Sequence, residues 1–190
     1  MQTIPNFEKI RAGRGLQKLV EDYTFETVLD VGSGDGVQAD AFRTYGKEVK
    51  EQDHQIDGVL FQDWQGGQFD VVWVSHCLEH QLNVNSFLVK CKSHLNENGF
   101  LAVTVPPAKH QIVGGHVTLW NAGLVLYNLI LAGFDCSQAE VLQYGYNITV
   151  IVKNSEIELP ALHFDHVDIF KLSAFFPVGC SEGFDGRLKK

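Results

Sequence analysis

The chain reads as an α/β protein, a doubly wound and mostly parallel sheet of seven strands that ends in an antiparallel hairpin. Three observations predict this. Residues 27–31, 69–74 and 100–105 are short, apolar, β-branched runs, the pattern of strands buried on both faces. They alternate with segments of helical periodicity, and alternation of this kind produces a parallel sheet covered by helices on both sides. After the last helix, two strand-like runs lie close enough to pair across Gly145.

Each element follows from local residues. Residues 6–22 place Phe7, Ile10, Leu16, Leu19 and Val20 at roughly helical spacing, with Gly13 and Gly15 interrupting, so a broken leading helix is expected. The first strand, 27–31, ends at glycines, and a helix over 37–45 is closed by Gly46. A second strand is expected at 48–53 and a weak third at 58–61. Gly66 and Gly67 then turn the chain into the fourth, 69–74. Val84, Leu88, Cys91 and Leu95 mark one face of a helix that should stop at Asn98 and Gly99. The fifth strand, 100–105, runs into Pro106 and Pro107. Asn121 can cap a helix reaching Ala132, with Gly133 as its stop, and strands at 136–143 and 147–152 complete the count.

At 190 residues the chain suits one domain, assigned to 1–154. Residues 155–190 have no clear period yet contain Phe164, Ile169, Phe170, Leu172, Phe175 and Phe176. That much apolar area should pack on the domain, over its site or as an extension of the core, or on a second subunit as a homodimer contact. The net charge of −8, with no Lys/Arg stripe, argues against nucleic acid. Residues 1–10 carry no apolar signal segment, and no window approaches the roughly eighteen apolar residues of a membrane span. Cys77, Cys91, Cys136 and Cys180 lack zinc-site spacing and read as reduced thiols of a cytoplasmic protein.

In such a sheet the ligand site lies at the carboxyl ends of the strands. Gly32 and Gly34 directly follow the first strand, where the absence of Cβ allows a sharp turn and close approach of backbone to a ligand. The dinucleotide-binding fingerprint has its third glycine three residues after the second. Here Gly36 comes two after, and Asp30 precedes the loop, which disfavours a nicotinamide-dependent oxidoreductase.

The pattern Asp30-x-Gly32-x-Gly34-x-Gly36 resembles the first motif of the class I S-adenosylmethionine-dependent methyltransferases, enzymes of Rossmann-like fold. The resemblance extends to Asp53 at the end of the second strand, to Phe69-Asp70-Val71-Val72, to Leu78-Glu79-His80, and to Leu95-x-x-x-Gly99-Phe100-Leu101. Val105-Pro106-Pro107, Gly115-His116-Val117 and Ala132-Gly133-Phe134 are similar to small methyltransferases (type-11 or type-23-like) of glycan or secondary-metabolite biosynthesis. It implies S-adenosylmethionine as cofactor and S-adenosylhomocysteine as product. Asp53, with His54 beside it, would hold the ribose hydroxyls. Asp63 would accept from the adenine amino group, with Trp64 on the ring. Gly32, Ser33 and Gly34 would pass the methionine part, Asp30 would meet its ammonium, and Ser75 would lie near the sulfonium. Only nine residues separate Asp53 from Asp63, so the usual helix there is absent or reduced to a turn.

Methyl transfer to a hydroxyl needs a proton acceptor, and histidine suits neutral pH. Of eight histidines, His76 and His80 follow the fourth strand and His116 lies in the loop after the fifth, making these three the catalytic candidates. His76-x-x-Glu79-His80 also resembles the Glu-x-x-Glu-His element of ubiquinone-biosynthesis O-methyltransferases, with histidine for the first glutamate. A polar cluster closing the loop is the reading taken, and no metal is expected. The function expected is methyl transfer to a small-molecule or sugar-like acceptor, at a hydroxyl, with N-methylation as a variant. The alternative is a binding or regulatory protein that keeps the cofactor pocket without turnover.

Overall fold

A computed structural model of the protein describes residues 5–184; the first four and last six, including the end of the apolar tail, lie outside the described residues. Six strands form one sheet: β1 (Thr27–Val31), β2 (Glu48–Gln52), β3 (Phe69–Ser75), β4 (Leu95–Val105), β5 (Glu140–Tyr144) and β6 (Asn147–Lys153). Their order is β2-β1-β3-β4-β6-β5. The first four are parallel, and β6 pairs antiparallel with both β4 and β5, whose hairpin turns between Tyr144 and Asn147.

Helices cover both faces. Alternate β3 residues divide between them: Val71 and Trp73 meet α1 (Gly13–Asp22) and α2 (Val37–Thr44), and Val72 and Val74 meet α4 (Val84–Ser93) and α5 (Ala122–Leu131). A single turn, α3 (His54–Asp57), follows β2, and α6 (Asp168–Lys171) lies in the tail. Asn121 caps α5 by accepting from Leu124 N–H at 2.8 Å, as its place before the apolar run implies. The leading helix is broken: a 3₁₀ turn (Phe7–Lys9) precedes α1, and a Cβ on Gly13 would stand 1.9 Å from the Phe7 carbonyl oxygen. Among the described residues no helix is long and apolar enough to cross a membrane.

The seventh strand, expected at 58–61, does not form. Gly58, at φ 69°, closes α3 by donating to the His54 carbonyl, and the Gln52 side chain donates to the Val59 carbonyl at 2.9 Å. The chain then enters a 3₁₀ turn (Phe61–Asp63). So short a connection satisfies its polar backbone in turns and leaves β2 as the sheet edge. Two boundaries also move. The helix over 84–95 stops at Ser93, because Leu95 already pairs with Phe69; residues 96–99 form an irregularity in β4, with Asn98 at φ 65°. The run 136–139 is a turn, in which Ala139 N–H donates to the Cys136 carbonyl, and β5 starts at Glu140.

In the tail, Leu172 and Phe176 are buried in the same core as α4 and α5, and Phe176 stacks on Tyr127 of α5. Phe164 and Phe170 face outward.

Asp70 ties three strands together. It accepts from the backbone N–H of Glu26 and Thr27, the Thr27 hydroxyl and the Asn96 side-chain amide, all at 2.8–3.0 Å. Burial alone would raise its pKa, but these donors outweigh it and hold the carboxyl at about 2. The unfolded carboxyl titrates near its ordinary value, so this stabilisation is present above about pH 4 and lost as pH falls towards about 2. Asp70→Asn is expected to lose about 2 kcal/mol at pH 7 in urea denaturation, and to show a flatter decline in stability between those pH values.

Candidate active site

The parallel strands deliver their carboxyl ends to one edge, where three segments gather: the glycine loop after β1, residues 76–83 after β3, and residues 106–121 after β4. Gly32, Gly34 and Gly36 all adopt left-handed backbone, at φ 72°, 55° and 74°. A Cβ on Gly32 would press on the Cys77 sulfur, whereas Gly34 faces open space. Gly34 N–H donates to one Asp53 oxygen at 3.1 Å, and the other accepts from Gln55 N–H at 2.9 Å. Asp53 is thus both the cap of α3 and the anchor of the glycine loop. A carboxylate has about four acceptor positions, and with His54 Nδ1 also 3.3 Å from the oxygen that caps α3, room for a ligand remains chiefly on the other.

Beside this anchor lies a cavity of about 580 Å³. Its walls include the polar residues Asp53, His54 and His80 and the apolar Leu60, Phe61 and Phe87, together with Gly32 and Cys77. Two polar atoms at the loop are buried without partners among the described residues, Asp30 Oδ2 and Ser33 Oγ. Burial raises the Asp30 pKa to about 7; nearby Glu51 adds to the effect and Arg43 opposes it. A buried acid without a donor, beside a glycine turn, is suited to an ammonium group, and a vicinal diol suits the free lone pairs of Asp53.

Of the residues expected at the cofactor, Gly32, Asp53 and His54 line this cavity, while Asp30, Ser33 and Gly34 belong to the adjoining loop without lining it. Asp63 and Trp64 do not reach the cavity. With no third strand to carry them, Asp63 is exposed on the 3₁₀ turn and Trp64 packs on His94, 4.9 Å between ring centroids. Phe61, Leu60 and Gln62 line the cavity in their stead. Ser75 ends β3, but its hydroxyl accepts from Gln38 at 3.0 Å, and Gln38 also accepts from the Trp73 indole. Cys77 and Phe87 line the cavity although nothing in their local sequence separates them from core residues.

A second, polar cavity of about 310 Å³ adjoins the first, and His80 lines both. His76, His80 and His116 all face it, together with Glu79, Arg11, Lys109, Tyr146 and Asn147. His76 has the left-handed φ of 53°, uncommon for a residue with a side chain and characteristic of functional turns. Its Nε2 lies 2.8 Å from Asn147 Oδ1 and its Nδ1 3.3 Å from Glu79 Oε1. Glu79 is 1% exposed, and its Oε2 has no partner among the described residues. The loop bearing His116 is docked here: Val117 N–H donates to the Glu79 carbonyl, and His80 Nδ1 lies 2.8 Å from the Gly115 carbonyl oxygen. The spacing of His76 and His80 is visible in the sequence, whereas the approach of His116 and Asn147 depends on the fold. The apolar tail lies elsewhere; no tail residue lines either cavity among the described residues.

A sequence model of the family described as a methyltransferase domain matches residues 7–128. The chain belongs to this methyltransferase family. No protein of curated function matches the methyltransferase in sequence. Its fold is shared by a putative O-methyltransferase of Nostoc punctiforme (TM-score 0.60, 17% identity, 76% of this chain and 56% of that one). It is also shared by an S-adenosylmethionine-dependent methyltransferase of Archaeoglobus fulgidus (0.58, 15%, 78% and 94%). A third is 1,6-didemethyltoxoflavin-N1-methyltransferase of Burkholderia thailandensis, bound to 1,6-didemethyltoxoflavin and S-adenosylhomocysteine (0.58, 16%, 68% and 71%). The cofactor of the methyltransferase is S-adenosylmethionine, and the unpartnered Asp30, the glycine turn and Asp53 suit its ammonium, backbone and ribose.

Asp30 makes this testable. Between about pH 4 and 7 the folded protein holds this proton more tightly than the unfolded chain, so its ionisation lowers stability as pH rises through that window. Asp30→Asn should therefore raise the melting temperature of ligand-free protein at pH 8 by about 2–4 °C, the shift that ~1 kcal/mol causes in a chain of this size. The same variant should bind S-adenosylhomocysteine about tenfold more weakly in calorimetry at pH 8. Wild-type affinity should fall between pH 8 and 6 as Asp30 takes up its proton, with the variant nearly flat.

Proposed function

We propose that the enzyme methylates a hydroxyl of a small, sugar-like molecule, one that sits in the polar cavity while the cofactor occupies the larger one. The observation that carries this is the position of His80 in the walls of both cavities, which supports a reading in which acceptor and cofactor lie side by side. When bound, S-adenosylmethionine supplies a methyl group activated by its positive sulfur and leaves as S-adenosylhomocysteine. The protein's own part is alignment and proton removal. Asp53 and the glycine loop orient the cofactor. The acceptor oxygen gives an electron pair to the methyl carbon, and its proton passes to the group formed by His76, His80 and His116.

Polar donors around the cavity, Arg11, Lys109, Tyr146 and Asn147, favour a hydroxylated acceptor over an apolar one. A glycan unit fits that chemistry. Four free cysteines suit a reducing compartment, for which we take the cytoplasm.

Asp53→Ala is expected to weaken S-adenosylhomocysteine binding by about tenfold or more in calorimetry, a loss of ~1.4 kcal/mol or greater. Unchanged affinity would remove Asp53 from the cofactor site. A panel of sugars, nucleotide sugars and phenols incubated with methyl-labelled cofactor should give label on a hydroxylated member. Label on amines alone would replace the hydroxyl by nitrogen as acceptor, and cofactor binding with no transfer to any class would favour a binding protein.

A further inference from the structure

We propose that Glu79, His80 and His116 form a binding site for a divalent transition-metal ion at the junction of the two cavities. One ligand atom from each lies within 4.8 Å of the other two, although His116 comes from a loop far along the chain. The site assigns the ion to the acceptor cavity of the proposed function and therefore rests on that reading for its purpose, but not for its existence.

The orientation of the groups points to a cation. His80 Nδ1 is 2.8 Å from the Gly115 carbonyl, an oxygen that can only accept, so Nδ1 is the donating nitrogen and Nε2 is the one left to face a ligand. That Nε2 is the atom turned towards Glu79, at 4.0 Å from Oε1. A histidine whose far nitrogen is fixed by a carbonyl is the usual metal-binding arrangement. Glu79 adds a buried carboxylate with one oxygen, Oε2, lacking any partner among the described residues. Glu79 is thus a buried carboxylate whose open side is met by the exposed ring of His80, where a cation could enter from the cavity. The His116 ring stands nearly perpendicular to that of His80, 5.1 Å between centroids.

Two imidazole nitrogens and one carboxylate oxygen suit zinc, cobalt and related ions over calcium or magnesium, which favour oxygen. Bonds of about 2.0–2.1 Å keep tetrahedral ligand atoms about 3.4 Å apart, so the loop carrying His116 would close by on the order of 1 Å. Three protein ligands leave a coordination position open to the polar cavity, where an acceptor hydroxyl can enter. With the ion bound, His80 and His116 would serve as ligands, coordination would make the acceptor hydroxyl more acidic, and His76 would be the imidazole left to take its proton.

The test uses full-length protein freed of metal by chelation and then titrated with Zn²⁺ alone in calorimetry, with Co²⁺ absorption as a spectroscopic readout. One site of micromolar or tighter affinity is expected, weakened at least tenfold in His116→Ala and in Glu79→Gln, and unchanged in His163→Ala. The Co²⁺ bands should weaken in the first two variants only. His116→Ala lies on a surface loop, and retained S-adenosylhomocysteine binding establishes that each variant is folded. No Zn²⁺ binding by the wild type, or equal affinity in both site variants, overturns the proposal. Hydroxyl methylation by rigorously metal-free protein at the full rate would overturn the catalytic purpose while leaving the proposed function intact. A one-site metal signal with no methyl transfer to any acceptor would do the reverse.

Discussion

The parallel pairing of β1 with β3 and of β3 with β4 is the constraint on which the rest of the molecule depends. Its registers, Val31 with Val74 and Ser75 with Thr104, end three strands at nearly the same level. Every loop that carries chemistry leaves from that level: the glycine turn, the His76–His80 segment and the loop of His116. Asp70, at the opposite end of β3, holds this register through donors from the β1 entry and from β4. A slip of one residue would reverse the alternation of Val71 and Trp73 against Val72 and Val74 and break both cores at once.

The β4–β6 pairing has an equivalent role for the polar cavity. It is antiparallel, so β6 begins where β4 ends, and Asn147 arrives beside His76. Thr104 and Thr149 share a fully buried hydrogen bond of 2.7 Å directly beneath, which fixes the two strands at that level. The left-handed turn at His76 is held by its own N–H donating to the Thr104 carbonyl. Strain in the backbone of His76 is thus supported by the sheet below it, as expected where a side chain has to be aimed.

What could be read from the sequence divides along physical lines. Strands buried on both faces, such as residues 69–74, announce themselves by continuous apolar character, and the glycine loop by a turn that few other residues can make. The position of Asp53, just past the end of β2 and bonded to the glycine loop, follows from its place at a strand end. The segment 58–64 was misread because Val59, Leu60 and Phe61 have strand-like composition. Whether such a run joins a sheet depends on backbone partners, and here Gly58 and the Gln52 side chain had already supplied them. Asp63 and Trp64 were lost with that strand. In the polar cavity, His76 and His80 lie close in sequence, but the docking of Val117 and Gly115 onto the Glu79–His80 turn leaves no periodic trace.

Three carboxylates keep a buried oxygen without a partner among the described residues: Asp57, whose other oxygen pairs with Lys50, and the two fully buried ones, Asp30 and Glu79. An unpaired buried acceptor of this kind costs about 1–3 kcal/mol, more when charged. Asp30 and Glu79 both sit towards the carboxyl edge of the sheet, Asp30 just before the glycine loop and Glu79 in the wall of the polar cavity. Asp70, at the other end of β3, is satisfied four times over by its neighbours. The contrast separates carboxylates that build the fold from those held ready for something outside it. For Asp30 the cofactor's ammonium is the partner we propose. For Glu79 the same reasoning calls for a cationic or proton-donating partner, and the convergence of His80 and His116 on it is what suits a metal ion.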